Sequence, residues 1–195
     1  MEYNIQKFIN LSKYFVLIFF IIQLIFYHTI IEEILDSGSL YEFVPICFNY
    51  IGKSIFISSL AMILFNKYAW KWKFIRLLHD MPVLKKTYSG TFVSTYDNDT
   101  RCGNLFVQQT FLNVTIQLKT SESQSRSIVA FLEKYQGIYY LIYVYQNEPR
   151  AEIQDKSPIH NGTAILNVSD PTILVGNYFT SRKTTGSMHF CASDD

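Results

Sequence analysis

From Tyr14 to Ile31 the chain reads YFVLIFFIIQLIFYHTII, an apolar run without a formal charge. A helix of that length crosses a hydrocarbon layer about 30 Å thick. A secretory signal peptide has a shorter apolar core, about 7–15 residues, that ends at a small-residue cleavage site. Here Glu32 and Glu33 follow instead, so the run is read as a membrane span over about 14–31.

A second apolar stretch, about 43–66, is interrupted by Pro45, Asn49, Gly52 and Lys53, and a basic, aromatic segment covers 67–79. Asn49 and Lys53 are four apart and share one helical face, the face expected to meet protein rather than lipid. Lys53 has two readings: an ammonium that snorkels to the outer interface, or one that lines a helix contact or water-filled path between several copies. Lys7 and Lys13 precede the first span and Lys67, Lys71, Lys73 and Arg76 follow the second, whereas the connecting loop carries Glu32, Glu33, Asp36 and Glu42. The positive-inside rule then places both termini in the cytosol. Tyr68, Trp70 and Trp72 form an interfacial belt.

The composition changes after Pro82. VQQTFLNVTIQLKT, from Val107 to Thr120, alternates Leu112, Val114, Ile116 and Leu118 with Asn113, Thr115, Gln117 and Lys119, which predicts one half-buried strand. Further strands are predicted at Tyr88–Asp97, Arg126–Tyr135, Ile138–Gln146, Ala164–Val168, Ile173–Ser181 and Ser187–Cys191. Short strands joined by short turns suggest a sandwich or a small closed barrel, and the meander fits the barrel better because closure removes exposed edges. The expected fold is therefore membrane-anchored all-β: two N-terminal transmembrane helices within residues 1–81, then an antiparallel barrel of about eight strands over 82–195.

Several functions find little support. A net charge of +1 offers no basic face for long nucleic acid. Cys47, Cys102 and Cys191 have no zinc-type spacing and suggest neither a metal site nor a disulfide framework. No dinucleotide-binding fingerprint, phosphate loop, nucleophile elbow, triad or carboxylate pair is legible, so the expectation is a protein that is not an enzyme. The sequons at Asn98, Asn113, Asn161 and Asn167 are read as chance occurrences on the cytosolic side.

The segment GNYFTSRKTTG, Gly176–Gly186, is expected to put Tyr178, Thr180 and Arg182 on one strand face. An aromatic ring, a hydroxyl and a guanidinium in register suit a base and a phosphate. The plainer account is an outer face with a solvated arginine. In YYLIYVYQNEP, Tyr139, Leu141, Tyr143, Tyr145 and Asn147 share one face and Tyr140, Ile142, Val144 and Gln146 the other, and either face suits the core. Ser121–Ser127 reads first as an exposed loop, with hydroxyls for a ligand phosphate as the alternative. His160 is expected at a turn.

The order of features resembles the bacterial CBASS antiphage effectors that pair two transmembrane helices with a lipocalin-like barrel. The resemblance rests on the helix pair and on Gly90-x-Phe92, where Trp is commoner than Phe. It rests also on Thr120, Ser123 and Ser125, on Y-x-Y-x-N-x-P through Pro149, on His160-x-Gly162-Thr163, and on G-x-Y-F-T-x-R-x-T-x-G. It implies that a partner nucleotidyltransferase makes a cyclic dinucleotide during infection and that the barrel binds it as activating ligand, without other cofactor. Barrels then associate as homo-oligomers, and clustered helices damage the lipids of the inner membrane, so that growth stops. For the ligand it suggests Arg182 at phosphate, Tyr178 or Tyr145 stacking on a base, and Thr120, Asn147 and Thr180 as polar contacts. The alternative is a tethered carrier or sensor of a lipid, which requires a largely apolar cavity with Arg182 outside it.

Overall fold

The computed structural model describes residues 2–26, 28, 32, 36 and 40–193. The chain divides into two compact units, one over Glu2–Ile75 and one over Arg76–Asp195.

The first unit holds α1 (Glu2–Phe26) and α2 (Leu40–Lys67). Both are long and apolar enough to cross a membrane, through Phe8–Ile25 and Val44–Lys67. A helix suits that solvent because it satisfies its own backbone polar groups. The first apolar window begins earlier than the uncharged run suggested, since Lys13 does not interrupt the helix. The predicted end of that span at Ile31 lies outside the described residues.

The pair forms an antiparallel hairpin: the Phe8 ring near the start of α1 lies 6.3 Å from the Phe65 ring near the end of α2. α2 buries Tyr50, Ser54, Ser58, Met62 and Phe65, spaced by four or three residues along one helical face. Ser54 and Ser58 are small enough for close helix approach, and the Ser54 hydroxyl donates to the Tyr50 carbonyl at 2.8 Å.

The second unit is a closed antiparallel barrel of β1 (Thr87–Ser94), β2 (Thr100–Gln109), β3 (Val114–Thr120), β4 (Ser123–Tyr135), β5 (Ile138–Pro149), β6 (His160–Asn167), β7 (Ile173–Thr180) and β8 (Thr185–Ala192). Each strand pairs with the next, and β8 closes on β1 with Gly90 opposite Phe190. Alternation puts Tyr88, Leu105, Ile116, Leu141, Leu166, Leu174 and Phe190 into the core.

One end is sealed by the chain entering β1. Met81 and Leu84 are buried there. The Gln109 amide accepts from Leu84 N–H at 2.8 Å and donates to the Pro82 carbonyl at 2.9 Å. The Tyr88 hydroxyl donates to the Pro171 carbonyl at 2.6 Å. The Tyr139 hydroxyl donates to Asp80 at 3.0 Å, and Lys134 pairs with the same carboxylate.

Several expectations are corrected. Val107–Thr120 is two strands, because Thr110–Asn113 turns: Thr110 N–H donates to the Asn113 carbonyl at 2.8 Å, and the Thr110 hydroxyl accepts from Asn113 N–H at 3.0 Å. The residues beginning at Thr100 extend β2 beyond anything predicted there. Only Ser121 and Glu122 of the serine run lie outside strands; Ser123 opens β4, and Ser125 is buried. His160 opens β6, opposite Asn147, rather than sitting at a turn. β7 ends at Thr180, so Arg182 lies in the following turn and not on a strand face.

Candidate functional site

The end opposite the seal is open and leads into a cavity of about 470 Å³ inside the barrel. All six residues suggested from the sequence, Arg182, Tyr178, Thr180, Thr120, Tyr145 and Asn147, line it.

Large rings form its floor and walls. The inward face of β5 is the one with Tyr143, Tyr145 and Asn147, and the two tyrosine rings lie 5.8 Å apart. Tyr178 of β7 meets Phe92 of β1 edge to face at 6.3 Å. Neighbouring strands make room for these rings with small residues. A Cβ added at Gly162 would stand 2.4 Å from the end of the Tyr145 ring, and one added at Gly186 would stand 2.4 Å from the Tyr178 ring. Burial pushes the Tyr143 and Tyr145 phenols well above their ordinary range, so both stay neutral and able to donate. Among the described residues, the Tyr143 hydroxyl is partnered by the Met188 sulfur, at 3.9 Å.

Polar groups gather nearer the mouth. Among the described residues, the side chains of Asn147 and Ser125 make no hydrogen bond, although both face the cavity and Ser125 is buried. The two threonines are more committed. The Thr120 hydroxyl accepts from the amides of Glu122 and Ser123 at 3.1 and 2.9 Å, closing the β3–β4 turn. The Thr180 hydroxyl lies 2.6 Å from that of Thr184. Each orders the rim; both Thr120 lone pairs are taken by the Glu122 and Ser123 amides, so what it can redirect to another contact is its proton, which points at the Ser123 carbonyl at 3.2 Å.

Three carboxylates and three Lys or Arg cations border the mouth, Asp97, Glu122 and Asp155 against Arg101, Lys156 and Arg182, with His160 in the same lining. Arg101 is bound to Asp97 and reaches Glu122 at 3.3 Å. That bonding raises the guanidinium's pKa and lowers the Asp97 carboxyl to about 2. Arg182 differs, because no acid pairs with it among the described residues. Its guanidinium donates to the Ser157 hydroxyl at 2.7 Å and lies 5.4 Å over the Tyr96 ring. It is therefore held at the mouth by neutral groups, with no carboxylate in salt-bridge reach among the described residues.

Sequence reasoning missed the Arg101, Asp97 and Glu122 cluster, and it missed Ile153, Asp155, Lys156 and Ser157 of the β5–β6 loop. The loop has no periodicity to betray its position. The cluster joins residues from two strand connections and the start of β2, brought together by the β1–β2 turn and the β2–β3 register.

The family model of the Cap15 cyclic dinucleotide receptor domain matches residues 79–191. The chain belongs to the Cap15 family. The matched residues are those of the barrel together with the segment sealing its end, and the family is the CBASS effector family that the sequence resembles. CD-NTase-associated protein 15 from Staphylococcus schleiferi is 29% identical over 189 residues, covering 96% of this chain and 97% of that protein. Among solved structures, a redesigned beta barrel aligns with a TM-score of 0.45 at 10% identity, covering 57% of this chain and 92% of that one.

Proposed function

We propose that the barrel is the receptor half of a membrane effector: it binds a cyclic dinucleotide made by a partner nucleotidyltransferase, and binding gathers copies of the chain so that their helices disrupt the inner membrane. Residues 1–81 serve as the membrane region and 82–195 as the receptor, with both termini in the cytosol, as the basic flanks favour. The observation that carries this reading is the cavity, which brings an acid-free guanidinium, aromatic rings and unsatisfied amide and hydroxyl groups to one open mouth.

The chemistry of each group matches a part of such a ligand. Arg182 offers a charged fork to a phosphodiester. Tyr178 and Tyr145 offer faces to a base, and Asn147, Thr120 and Thr180 offer hydrogen bonds at its edges. The ligand is held rather than turned over, since its recognition needs no nucleophile or general base. In lipid, helices gain little from hydrophobic contact with each other, so a clamp outside the bilayer controls their association by raising local concentration.

The mixed lining weighs against a lipid carrier, which calls for an apolar cavity with Arg182 outside.

The test is calorimetry on the full chain in detergent with cyclic di-AMP, cyclic di-GMP and cyclic GMP-AMP, followed by recovery of the ligand. Tight binding of one member, recovered intact, with a rise in particle mass on binding, supports the reading. A folded chain that binds none of them and carries copurified lipid refutes it in favour of the carrier.

A further inference from the structure

Lys53 places a formal charge inside the apolar Val44–Lys67 span. At about 1.5 Å per residue it lies about 13 Å from Val44 and about 21 Å from Lys67 along the helix. Its four-carbon stem is shorter than either distance, so snorkelling alone does not carry the ammonium past either end of the apolar window. Neither apolar window contains an acid. Among the described residues, Lys53 contacts the Tyr50 ring, 5.7 Å from the ammonium.

The position of Lys53 around the helix adds a second constraint. α2 turns Tyr50, Ser54, Ser58, Met62 and Phe65 inward against its own hairpin, whereas Lys53 and Asn49 are exposed on an adjoining face. Gly52 stands beside them, with nothing within 4 Å of where its Cβ would be. The polar face is thus free in one copy of the chain, and hydrocarbon is a poor solvent for it.

We infer that this face turns inward when copies of the chain gather, and that Lys53 and Asn49 line a water-filled path that passes small anions and rejects cations. Water and anions then solvate the ammoniums that lipid cannot, and the ring of positive charge sets the sign of the permeant ion. The remaining charges in the two windows, Lys13 and Lys67, have the same sign. This inference rests on the ligand-driven assembly proposed above and makes the membrane damage a selective leak instead of general rupture.

The full chain reconstituted in planar bilayers under a steep KCl gradient tests it, with cyclic di-AMP, cyclic di-GMP and cyclic GMP-AMP added in turn on the barrel side. Currents from the wild type should reverse near the chloride equilibrium potential. Lys53→Gln should move the reversal potential toward zero, and Lys53→Glu should carry it past zero toward that of potassium, with membrane insertion verified by carbonate extraction. Reversal at one potential for all three chains, or leakage of large dextrans without a size limit, overturns this inference alone. Nucleotide binding without any current overturns both the inference and the proposed membrane disruption.

Discussion

Replacing Arg182 with alanine should weaken nucleotide binding by about 10- to 150-fold. A hydrogen bond to a charged group contributes about 1.5–3 kcal/mol, and about 1.4 kcal/mol corresponds to a factor of ten. The upper end applies if the β5–β6 loop also loosens, because Arg182 holds Ser157 at 2.7 Å and stacks over Tyr96. Arg182→Lys should fall between the wild type and alanine, since it keeps the charge but loses the planar fork. Added salt should weaken binding by the wild type more steeply than binding by the alanine variant, because the screened charge is missing from the latter. Calorimetry on the full chain across a salt series reads both effects, and thermal melts followed by circular dichroism verify the fold. The reasoning is refuted if Arg182→Ala binds as tightly and with the same salt dependence as the wild type while Asn147→Ala loses binding, because the phosphate is then held elsewhere.

Packing, boundary and ionisation predictions follow. Gly176→Ala should cost about 1–3 kcal/mol or more, since the new Cβ would stand 2.0 Å from the Ile165 carbonyl oxygen on the paired strand; an unchanged denaturation midpoint would show that the two strands can separate there. A fragment starting at Pro82 should be about 2–4 kcal/mol less stable than one starting at His79, because it lacks buried Met81 and the Asp80 carboxylate that binds Tyr139; equal chemical denaturation curves would refute this. The folded-state pKa of Asp97 is depressed to about 2 from 3.8, so its contribution to stability is full above about pH 4 and disappears as pH falls through about 2; NMR titration of its carboxyl carbon should show that low midpoint. Tyr143 and Tyr145 have raised folded-state values, so the stability they contribute is complete below about pH 10 and is lost as pH rises beyond it; tyrosinate absorbance from these two should appear only with alkaline unfolding.

Much of the architecture is legible in local pattern. The two helices follow from apolar runs, and the β5 and β7 strands follow from alternation, because burial in lipid or in a barrel wall imposes its period on the residues. The failures have two causes. Val107–Thr120 keeps its alternation through a turn built by Thr110 and Asn113 without glycine or proline, so the break leaves no mark in the pattern. The run from Thr100 to Asn104 and the serines of β4 look unlike strands because part of their inward face borders a polar cavity, where hydrophobic alternation is not required.

The sequence alone determined that this chain has a membrane part and a β part, since hydropathy and side-chain period are local properties. It also singled out Arg182, Tyr178, Thr180, Thr120, Tyr145 and Asn147, but it left open whether the tyrosine-rich face of β5 points inward. Closure of β8 on β1 decided that and brought the six residues, distant along the chain, to one mouth. Only the tertiary structure also distinguished the two mouth arginines. Arg101 lies beside Asp97 and Glu122 and is neutralised, whereas Arg182, among the described residues, bonds Ser157 and lies over Tyr96 with no carboxylate in salt-bridge reach. Charge compensation depends on distances across the barrel rim, and those distances exist only after the chain has folded.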